Sequence, residues 1–417
     1  MKRTPSITRR GAVASAGACL ALALGACSSP DVTQEETGGR DDAGTVSDRT
    51  PEEDQPQAAE EPEEPEEAVS EVDRIVSAMT LEQKVAQLFV VRPEAITGVE
   101  TAVAAGETTR QALLDMPVGG IVYFAANLVD SDQTREMLRN TATYAEEASG
   151  LPIFLCVDEE GGTVSRVGGN SGFGVDNVGN MCDVGATGDV DYAREVAKHI
   201  GTYLQNLGFN VDFAPDADIA NNPQSDTMRL RSFGTTVDAV APMVKAQVEG
   251  FAEAGVLCSA KHFPGIGGAM GDSHDGRIYS EKTLDEIRAE ELRPFQAAIE
   301  ADVPFVMVGH LSMPSITGDD DPSSISGEII NGILREELGY QGIIITDSMA
   351  MGAALDSLTL DRLGVAPLLA GADMVLMPED LQAAYQGVLD AVASGELTEE
   401  RIDESVRRVV RTKLERL

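Results

Sequence analysis

The sequence predicts an α/β fold, a TIM-type (β/α)8 barrel with one strand irregular or missing, as a single catalytic domain over residues 72–417. Two observations lead to this prediction. Short apolar runs alternate with amphipathic helical stretches, an order that requires right-handed crossovers and a parallel sheet. Polar residues follow most of the runs, as they do at the active face of a barrel. A doubly wound open sheet is the alternative, but no Gly-x-Gly-x-x-Gly follows the first run to support nucleotide binding.

Seven runs have the length and apolar continuity of buried parallel strands. They are Gly119–Phe124, Ile153–Val157, Phe209–Phe213, Val256–Ala260, Phe305–Val308, Gly342–Thr346 and Met374–Met377. The helical stretches between them are Asp132–Ala148, Asp191–Leu207, Val237–Ala254, Leu284–Glu300 and Ile325–Leu338.

Residues 1–27 predict an export signal. Basic residues between Lys2 and Arg10 precede the apolar run Gly11–Ala26, which is too short to span a bilayer comfortably. The run ends in Leu24-Gly25-Ala26-Cys27, which resembles a bacterial lipobox, although a plain cleaved signal is the alternative. We therefore expect an extracytoplasmic protein anchored to the cell membrane by a lipid on Cys27. The export route, general or twin-arginine, stays open.

The formal net charge is −39, and acidic residues are especially dense in residues 28–71, which are also rich in Pro and poor in large apolar side chains. Such a stretch cannot bury enough surface to offset its ordering entropy, so we expect an extended, disordered linker. The chain has no basic patch that could replace the counterions of phosphates. Nucleic acid is therefore excluded as a partner, and contact with the membrane is expected through the lipid alone.

The polar residues that follow the predicted strands are candidates for a site. Asp158 follows the second run, Asp216 and Asp218 the third, Lys261 and His262 the fourth, His310 the fifth and Asp347 the sixth. In a barrel all of these positions converge on the C-terminal face, where active sites of this fold lie. Their joint pattern favours a catalytic site over separate structural roles.

The sequence argues against metal and cofactor chemistry. A metal-dependent barrel hydrolase needs a His-x-His pair near the first strand, and Gly119–Ala126 contains no histidine. The three cysteines after residue 72 form no Cys-x-x-Cys, and no glycine loop suited to a phosphate is evident. We expect neither a metal ion nor a cofactor. Acid, base and nucleophilic chemistry on a neutral, hydroxyl-rich substrate remains.

Hydrolysis of a sugar with retained configuration uses a nucleophile and an acid/base that flank the glycosidic bond. Asp347 ends an apolar run and is well placed to be the nucleophile. The glycine-rich segment Pro264–His274 ends in Asp272-Ser273-His274. Asp272 can hold the imidazole of His274, and a histidine so held can donate a proton and later accept one.

Several motifs, in this order, resemble glycoside hydrolase family 3, specifically its single-domain bacterial β-N-acetylglucosaminidase branch in a lipoprotein form. They are Asp158-Glu159-Glu160-Gly161-Gly162-Thr163-Val164-Ser165-Arg166, Lys261-His262-Phe263-Pro264-Gly265 with Asp272-Ser273-His274, Ile345-Thr346-Asp347-Ser348-Met349, and Gly371–Pro378. The resemblance covers nearly all of residues 72–417. It implies a retaining exo-β-N-acetylglucosaminidase, without a cofactor, that acts on terminal β-linked N-acetylglucosamine, as in peptidoglycan fragments.

The resemblance also implies residue roles. Asp347 would form a covalent glycosyl-enzyme, and His274, held by Asp272, would replace the usual carboxylic acid. The sugar's hydroxyl groups would be held by Asp158, Arg166, Arg231, Lys261 and His262. Two-domain β-glucosidases of the family take their acid from a second domain, for which we expect no room before Leu417.

Three residues depart from the family pattern. Glu159 stands where the family prefers Gln, Thr163 where it prefers Arg, and Ile266 where a His is frequent. Three alternatives to hydrolysis of this substrate stay open: phosphorolysis, a β-glucosidase of the same family, and a non-catalytic lipoprotein that binds wall fragments. We expect a monomer with a carbohydrate as its partner.

Overall fold

The computed structural model describes residues 70–223, 225–269, 273 and 276–417. The predicted signal peptide, Cys27 and nearly all of the predicted linker lie outside these residues. So do two of the predicted catalytic residues, Asp272 and His274.

Eight parallel strands form the barrel in this part of the chain. They are β1 (Phe89–Val91), β2 (Gly120–Val122), β3 (Phe154–Val157), β4 (Val211–Asp212), β5 (Leu257–Phe263), β6 (Phe305–Val308), β7 (Ile343–Thr346) and β8 (Val375–Leu376). They pair in the order β8-β1-β2-β3-β4-β5-β6-β7. Between β7 and β8 a single bridge joins Ile345 to Met374, so the barrel is nearly closed with one seam. The predicted TIM-type barrel is confirmed.

The strand missing from the sequence prediction is β1. Its three residues, Phe89–Val91, come directly after a helix that ends at Gln87. Their apolar side chains therefore extend the helical pattern before them instead of standing out as a separate run. All seven predicted strands are present at the predicted places, some of them shorter than their apolar runs.

Helices surround the barrel. They are α1 (Glu71–Ala78), α2 (Leu81–Gln87), α3 (Pro93–Thr97), α4 (Glu107–Asp115), α5 (Ser131–Ser149), α6 (Met181–Ala186), α7 (Val190–Leu207), α8 (Asp226–Arg231), α9 (Val237–Ala254), α10 (Leu284–Ala289), α11 (Leu292–Glu300), α12 (Pro314–Thr317), α13 (Gly352–Leu355), α14 (Arg362–Ala370), α15 (Leu381–Ser394) and α16 (Glu399–Arg416). In the described part of the chain, none of them is both long enough and apolar enough to cross a membrane.

Local chemistry sets the ends of these helices. The side chain of Asp189 accepts a hydrogen bond from the amide of Tyr192 and so caps the start of α7. At the other end, Gly208 follows the last residue of α7 and has a positive φ of 103°. The predicted helix Leu284–Glu300 is two helices, and their junction is at Glu290 and Glu291. Pro294 explains the break, because it cannot donate a hydrogen bond to the carbonyl of Glu290 and its ring crowds that carbonyl.

The predicted helix Ile325–Leu338 is a π-helix, Glu328–Glu337, preceded by a short 3-10 turn, Ser323–Ile325. Its Ile329, Ile330, Ile333 and Leu334 are buried, as the apolar pattern of the sequence predicts. Two short strands outside the barrel, Ile278–Tyr279 and Leu311–Ser312, pair in parallel.

Tight packing fills the barrel and its N-terminal end. Phe154 of β3 and Phe305 of β6 meet edge to face, with 5.2 Å between ring centroids. Before β2, a Cβ on Gly119 would lie 2.0 Å from the carbonyl oxygen of Gln87, so this close approach admits no side chain. The buried Lys413 of α16 donates to Gln87 Oε1 at 2.8 Å, and burial lowers the pKa of Lys413 to about 7.

Candidate active site

The C-terminal ends of five neighbouring strands carry the candidate residues. The segment Asp158–Glu160 directly follows β3, Asp216 and Asp218 follow β4, and Lys261 and His262 belong to the end of β5. His310 follows β6, and Asp347 follows β7. Because the strands are parallel, these ends meet at one face of the barrel. The candidate residues therefore converge on one face of the barrel, as the sequence analysis expects of them.

A buried ion network forms the floor of the site. Lys261 Nζ lies 2.7 Å from Asp158 Oδ1 and 2.6 Å from Glu160 Oε1. Arg231, the last residue of α8, donates from Nε and Nη2 to the two oxygens of Glu160, both at 2.8 Å. Glu160 thus joins two cations from different parts of the chain through a bidentate arginine pair and a lysine.

The network keeps its members charged in spite of their burial. Burial opposes ionisation of Glu160, but Arg231 and Lys261 outweigh it and hold the pKa of Glu160 well below its usual range. Burial likewise opposes the charge of Lys261, and the carboxylates of Asp158 and Glu160 raise its pKa above the ordinary value. The floor therefore presents fixed charges and hydrogen-bond donors in a place from which water is largely excluded.

A second buried group lies beside the first. His262 Nδ1 donates to Asp218 Oδ2 at 2.8 Å, and Asp218 Oδ1 accepts from the amide of Ile266 at 2.5 Å. Asp216 Oδ1 accepts from the amide of Asp218, while its Oδ2 lies 3.5 Å from Arg231 Nε. Burial and the charge of Asp218 raise the pKa of Asp216 well above its ordinary value. These contacts fix the orientation of the His262 ring.

Asp347 is only partly buried, and its two carboxylate oxygens differ. Oδ1 accepts from the amide of Ser348 at 2.7 Å. Oδ2 accepts no hydrogen bond from the described residues. Burial disfavours the charged form, but His262, His310, the Ser348 amide and Lys261 outweigh it, so the pKa of Asp347 lies below its ordinary value. Asp347 is thus an ionised carboxylate with one oxygen available to a ligand.

His310 supports the backbone that follows Asp347. It is 1% exposed, and its Nε2 donates to the carbonyl of Ser348 at 2.9 Å. On its other side, Nδ1 lies 2.7 Å from the hydroxyl oxygen of Ser324. The ring therefore ties the chain after β7 to the segment Ser323–Ile325.

Arg166 reaches the site from the loop after β3. Gly161 and Gly162 turn that loop with φ of 93° and 57°, a conformation that favours glycine. The guanidinium carbon of Arg166 lies 5.7 Å from the centre of the Phe124 ring. No described residue accepts a hydrogen bond from this guanidinium. Its donors are therefore available to a ligand.

A cavity of about 560 Å³ opens beside Ser348, the residue after Asp347, with walls from the segments that end or follow β1, β2, β7 and β8. Asp347 and the floor residues do not line it. Phe124, Met351, Met377 and Pro378 supply apolar walls, and Ser348 and Glu379 supply polar ones. Its volume falls in the range of small-molecule sites in proteins.

The structure thus brings together Asp158, Arg231, Lys261 and His262, and Asp347 lies close enough that His262 and Lys261 lower its pKa. The roles assigned to Asp272, Ser273 and His274 as a loop receive no test, since only Ser273 is described. The sequence analysis missed Glu160, the acid that holds Lys261 and Arg231. Its position, two residues after Asp158 and directly before Gly161-Gly162, was the available signal.

Glu159 and Thr163, two departures from the family pattern, occupy very different places. Thr163 is exposed, whereas Glu159 is fully buried under the loop that carries Arg166. Ile266 donates its backbone amide to Asp218, and this contact does not depend on its side chain.

Among the described residues, one trio has the spacing of a metal site. Ligand-type atoms of Asp216, Asp218 and His262 lie within 4.8 Å of one another. Arg231 already places its charge there, with Nη2 3.2 Å from His262 Nε2 and Nε 3.5 Å from Asp216 Oδ2. The trio is therefore arranged around an arginine, and we assign it to holding Arg231 and His262.

The chain is similar to several known proteins. It is 33% identical over 321 residues to a protein named β-hexosaminidase A from Pseudoalteromonas piscicida, covering 71% of this chain and 53% of that protein. It is 32% identical over 356 residues to the β-hexosaminidase LpqI of Mycobacterium tuberculosis, covering 81% of this chain and 84% of that one. The chain thus spans about half of the first relative and most of the second.

Solved structures and a family model agree with these relatives. The structure of a glycoside hydrolase family 3 β-N-acetylglucosaminidase from Paenibacillus sp. str. FPU-7 matches with a TM-score of 0.76 and 37% identity, over 81% of this chain and 63% of that one. The model of the glycosyl hydrolase family 3 N-terminal domain matches residues 80–412, which contain the barrel and every described site residue. The chain therefore belongs to glycoside hydrolase family 3.

Proposed function

We propose that this chain is a retaining exo-β-N-acetylglucosaminidase that hydrolyses terminal β-linked N-acetylglucosamine from peptidoglycan fragments or related glycans. The observation that carries the proposal is the ionised carboxylate of Asp347, with Oδ2 unengaged by the described residues, beside a buried floor of hydrogen-bond donors. The names of the Mycobacterium and Paenibacillus relatives support the N-acetylhexosaminide as substrate.

The reaction takes two steps. In the first, Asp347 attacks the anomeric carbon, the glycosidic C–O bond breaks, and His274, held by Asp272, protonates the leaving oxygen. In the second, His274 takes a proton from water, the water oxygen attacks the anomeric carbon, and the bond to Asp347 breaks. The low pKa of Asp347 suits a nucleophile that must be ionised before the first step.

The floor residues bind and orient the sugar. Asp158 offers carboxylate oxygens, and Lys261, Arg231 and His262 surround the same space with nitrogen groups. Their mutual contacts hold each group in place before a ligand arrives, so little ordering entropy is lost on binding. Arg166 adds unengaged donors from the side.

The lipoprotein signature adds a location to the proposal. Cys27 follows Leu24-Gly25-Ala26, and lipidation there would hold the enzyme at the outer face of the cell membrane, close to wall glycans. Cys27→Ala in the full-length chain should move the protein from the membrane fraction to the soluble one and abolish labelling by a clickable fatty acid. Unchanged membrane association would contradict this anchor.

The nucleophile is tested by Asp347→Ala, with Asp183→Ala, an exposed aspartate of α6, as the control. With a chromogenic β-N-acetylglucosaminide, we expect turnover to fall on the order of 10⁴-fold in Asp347→Ala and to stay unchanged in the control. Turnover near the wild-type level in Asp347→Ala would rule out the proposed mechanism.

The same assay, with wild-type protein, separates the alternatives. We expect N-acetylglucosaminide to be cleaved far faster than glucoside, and free N-acetylglucosamine to be the product with or without phosphate. N-acetylglucosamine 1-phosphate as the main product would favour phosphorolysis. Tight binding of muropeptides without turnover would identify a non-catalytic binder.

The ion network is tested by Glu160→Gln. This change leaves Lys261 and Arg231 buried without their shared anion, so we expect a loss of about 3 kcal/mol in the free energy of unfolding at neutral pH. The exposed Glu249 of α9 offers a control, Glu249→Gln, which should leave the free energy of unfolding unchanged. Denaturant titration measures both.

The pH dependence of this loss has a definite sign. Because the pKa of Glu160 is lowered on folding, its stabilisation is present above its ordinary value of 4.5 and is lost as the pH falls through the folded-state pKa. The stability difference between wild type and Glu160→Gln should therefore be constant above pH 4.5 and shrink below it. A difference that grows on acidification would contradict the charge-based account.

A further inference from the structure

Glu159 is a buried carboxylate that accepts five hydrogen bonds. Its side chain is 0% exposed. Oε2 accepts from the amides of Arg166 at 2.5 Å and Val167 at 2.9 Å. Oε1 accepts from the amide of Gly168 at 2.8 Å and from the hydroxyl groups of Ser165 at 2.6 Å and Tyr203 at 2.8 Å.

All five donors are uncharged, so the loop itself solvates the charge of Glu159. Three successive amides that point at one anion form a backbone nest. Two neighbours respond to this negative charge. Burial and Glu159 together raise the pKa of Tyr203. Burial raises the pKa of Asp212, and the charge of Glu159 adds to this rise, although the amide of Glu159, which donates to Asp212 at 2.9 Å, acts in the opposite direction. The turn at residues 165–168 is thus built around an anion.

The segment that Glu159 organises carries Arg166. One of the five hydrogen bonds acts on Arg166 itself, since its own amide donates to Glu159 Oε2. Beyond this amide the side chain extends to the Phe124 ring, and its guanidinium has no acceptor among the described residues. The direction of the arginine therefore depends on the backbone position that Glu159 sets.

We propose that Glu159 is a positioning residue, which holds Arg166 against Phe124 so that its guanidinium can bind a hydroxyl or acyl oxygen of the sugar. The contact with the sugar rests on the proposed function. The positioning of the loop by Glu159 is independent of the proposed function. The family's Gln could not replace Glu159 without loss, because the amides of Arg166, Val167 and Gly168 donate to both carboxylate oxygens and a Gln side chain has only one oxygen.

Substitution of Glu159 by glutamine should disrupt the hydrogen bonds of the loop less than substitution by alanine. A Gln oxygen can accept from the amides of Arg166 and Val167, and its NH₂ can donate to the hydroxyl oxygens of Ser165 and Tyr203. The amide of Gly168 then faces the NH₂ and loses its acceptor. Alanine removes the acceptor from the three amides and from Tyr203, while the Ser165 hydroxyl keeps the carbonyl of Gly168 at 2.7 Å. Buried amides without partners are costly.

Hydrogen exchange tests the loop without any need for activity. In Glu159→Ala, we expect the peptide that spans residues 165–169 to exchange at least about tenfold faster than in wild type, and in Glu159→Gln to fall between the two. The exposed Glu146 of α5 supplies the control, Glu146→Ala, which should leave this peptide unchanged. Wild-type exchange in both Glu159 variants would overturn the proposal. If Glu159→Ala does not fold, the exchange rate of the same peptide in Glu159→Gln decides whether Glu159 holds the loop.

A double-mutant cycle tests whether Glu159 acts through Arg166. With the chromogenic β-N-acetylglucosaminide, Glu159→Ala should raise KM about tenfold and change kcat by less than about threefold, because binding is lost equally in ground and transition states. On an Arg166→Ala background, the same substitution should change KM by less than about twofold.

Equal effects on both backgrounds would show a general loss of structure and overturn the positioning role. A rise in KM that Glu159→Gln partly restores would support it. Failure of wild-type protein to cleave the substrate would contradict the proposed function. The hydrogen-exchange experiment would still decide whether Glu159 holds the loop.

Discussion

The buried contact between Glu160 and its two cations, Lys261 and Arg231, is the constraint on which the site depends. Glu160 follows β3, Lys261 belongs to β5, and Arg231 ends a helix that the chain reaches only after β4. One carboxylate therefore locks three separate segments together at the C-terminal face of the barrel. Removing water from these charges is costly, and the cost is offset because each charge has a partner at hydrogen-bond distance.

This network also sets the electrostatic conditions for Asp347. The lysine that Glu160 holds is one of the groups that keep the Asp347 carboxylate ionised, and His262, which Arg231 contacts, is another. Glu159, the neighbour of Glu160, contacts a different set of residues and organises the loop of Arg166. Two consecutive acidic residues thus have different structural roles. Glu160 arranges the cations of the floor, and Glu159 arranges the backbone at its edge.

The sequence was sufficient to predict the barrel and the face on which the candidate residues lie, because apolar runs mark buried strands and polar residues follow their ends. It was not sufficient for β1, whose Phe89–Val91 continues the apolar pattern of the preceding helix. The sequence analysis also predicted one helix where there are two, α10 and α11, because the helical spacing of apolar residues continues through the break before Pro294. In both cases, the periodicity of the side chains carried no signal of the change in the backbone.

The roles of Glu159 and Glu160 could not be read from the sequence for a different reason. The partners of Glu160 are 71 and more residues away along the chain, and Tyr203, a partner of Glu159, is 44 residues away. The roles of these two adjacent acids become distinguishable only when the fold supplies their partners. The proposed role of Asp347 needs no such information, because it starts from the place of this residue at the end of an apolar strand.

The central claim is that Asp347 becomes covalently attached to the sugar. A slowly turned-over fluorinated N-acetylglucosaminyl donor, incubated with the full-length protein and followed by peptide mass spectrometry, tests it most directly. We predict one glycosyl group per chain, on the peptide that contains Asp347, and loss of this label in Asp347→Ala. A label on a different residue, or steady hydrolysis of the same donor by Asp347→Ala, would contradict the account.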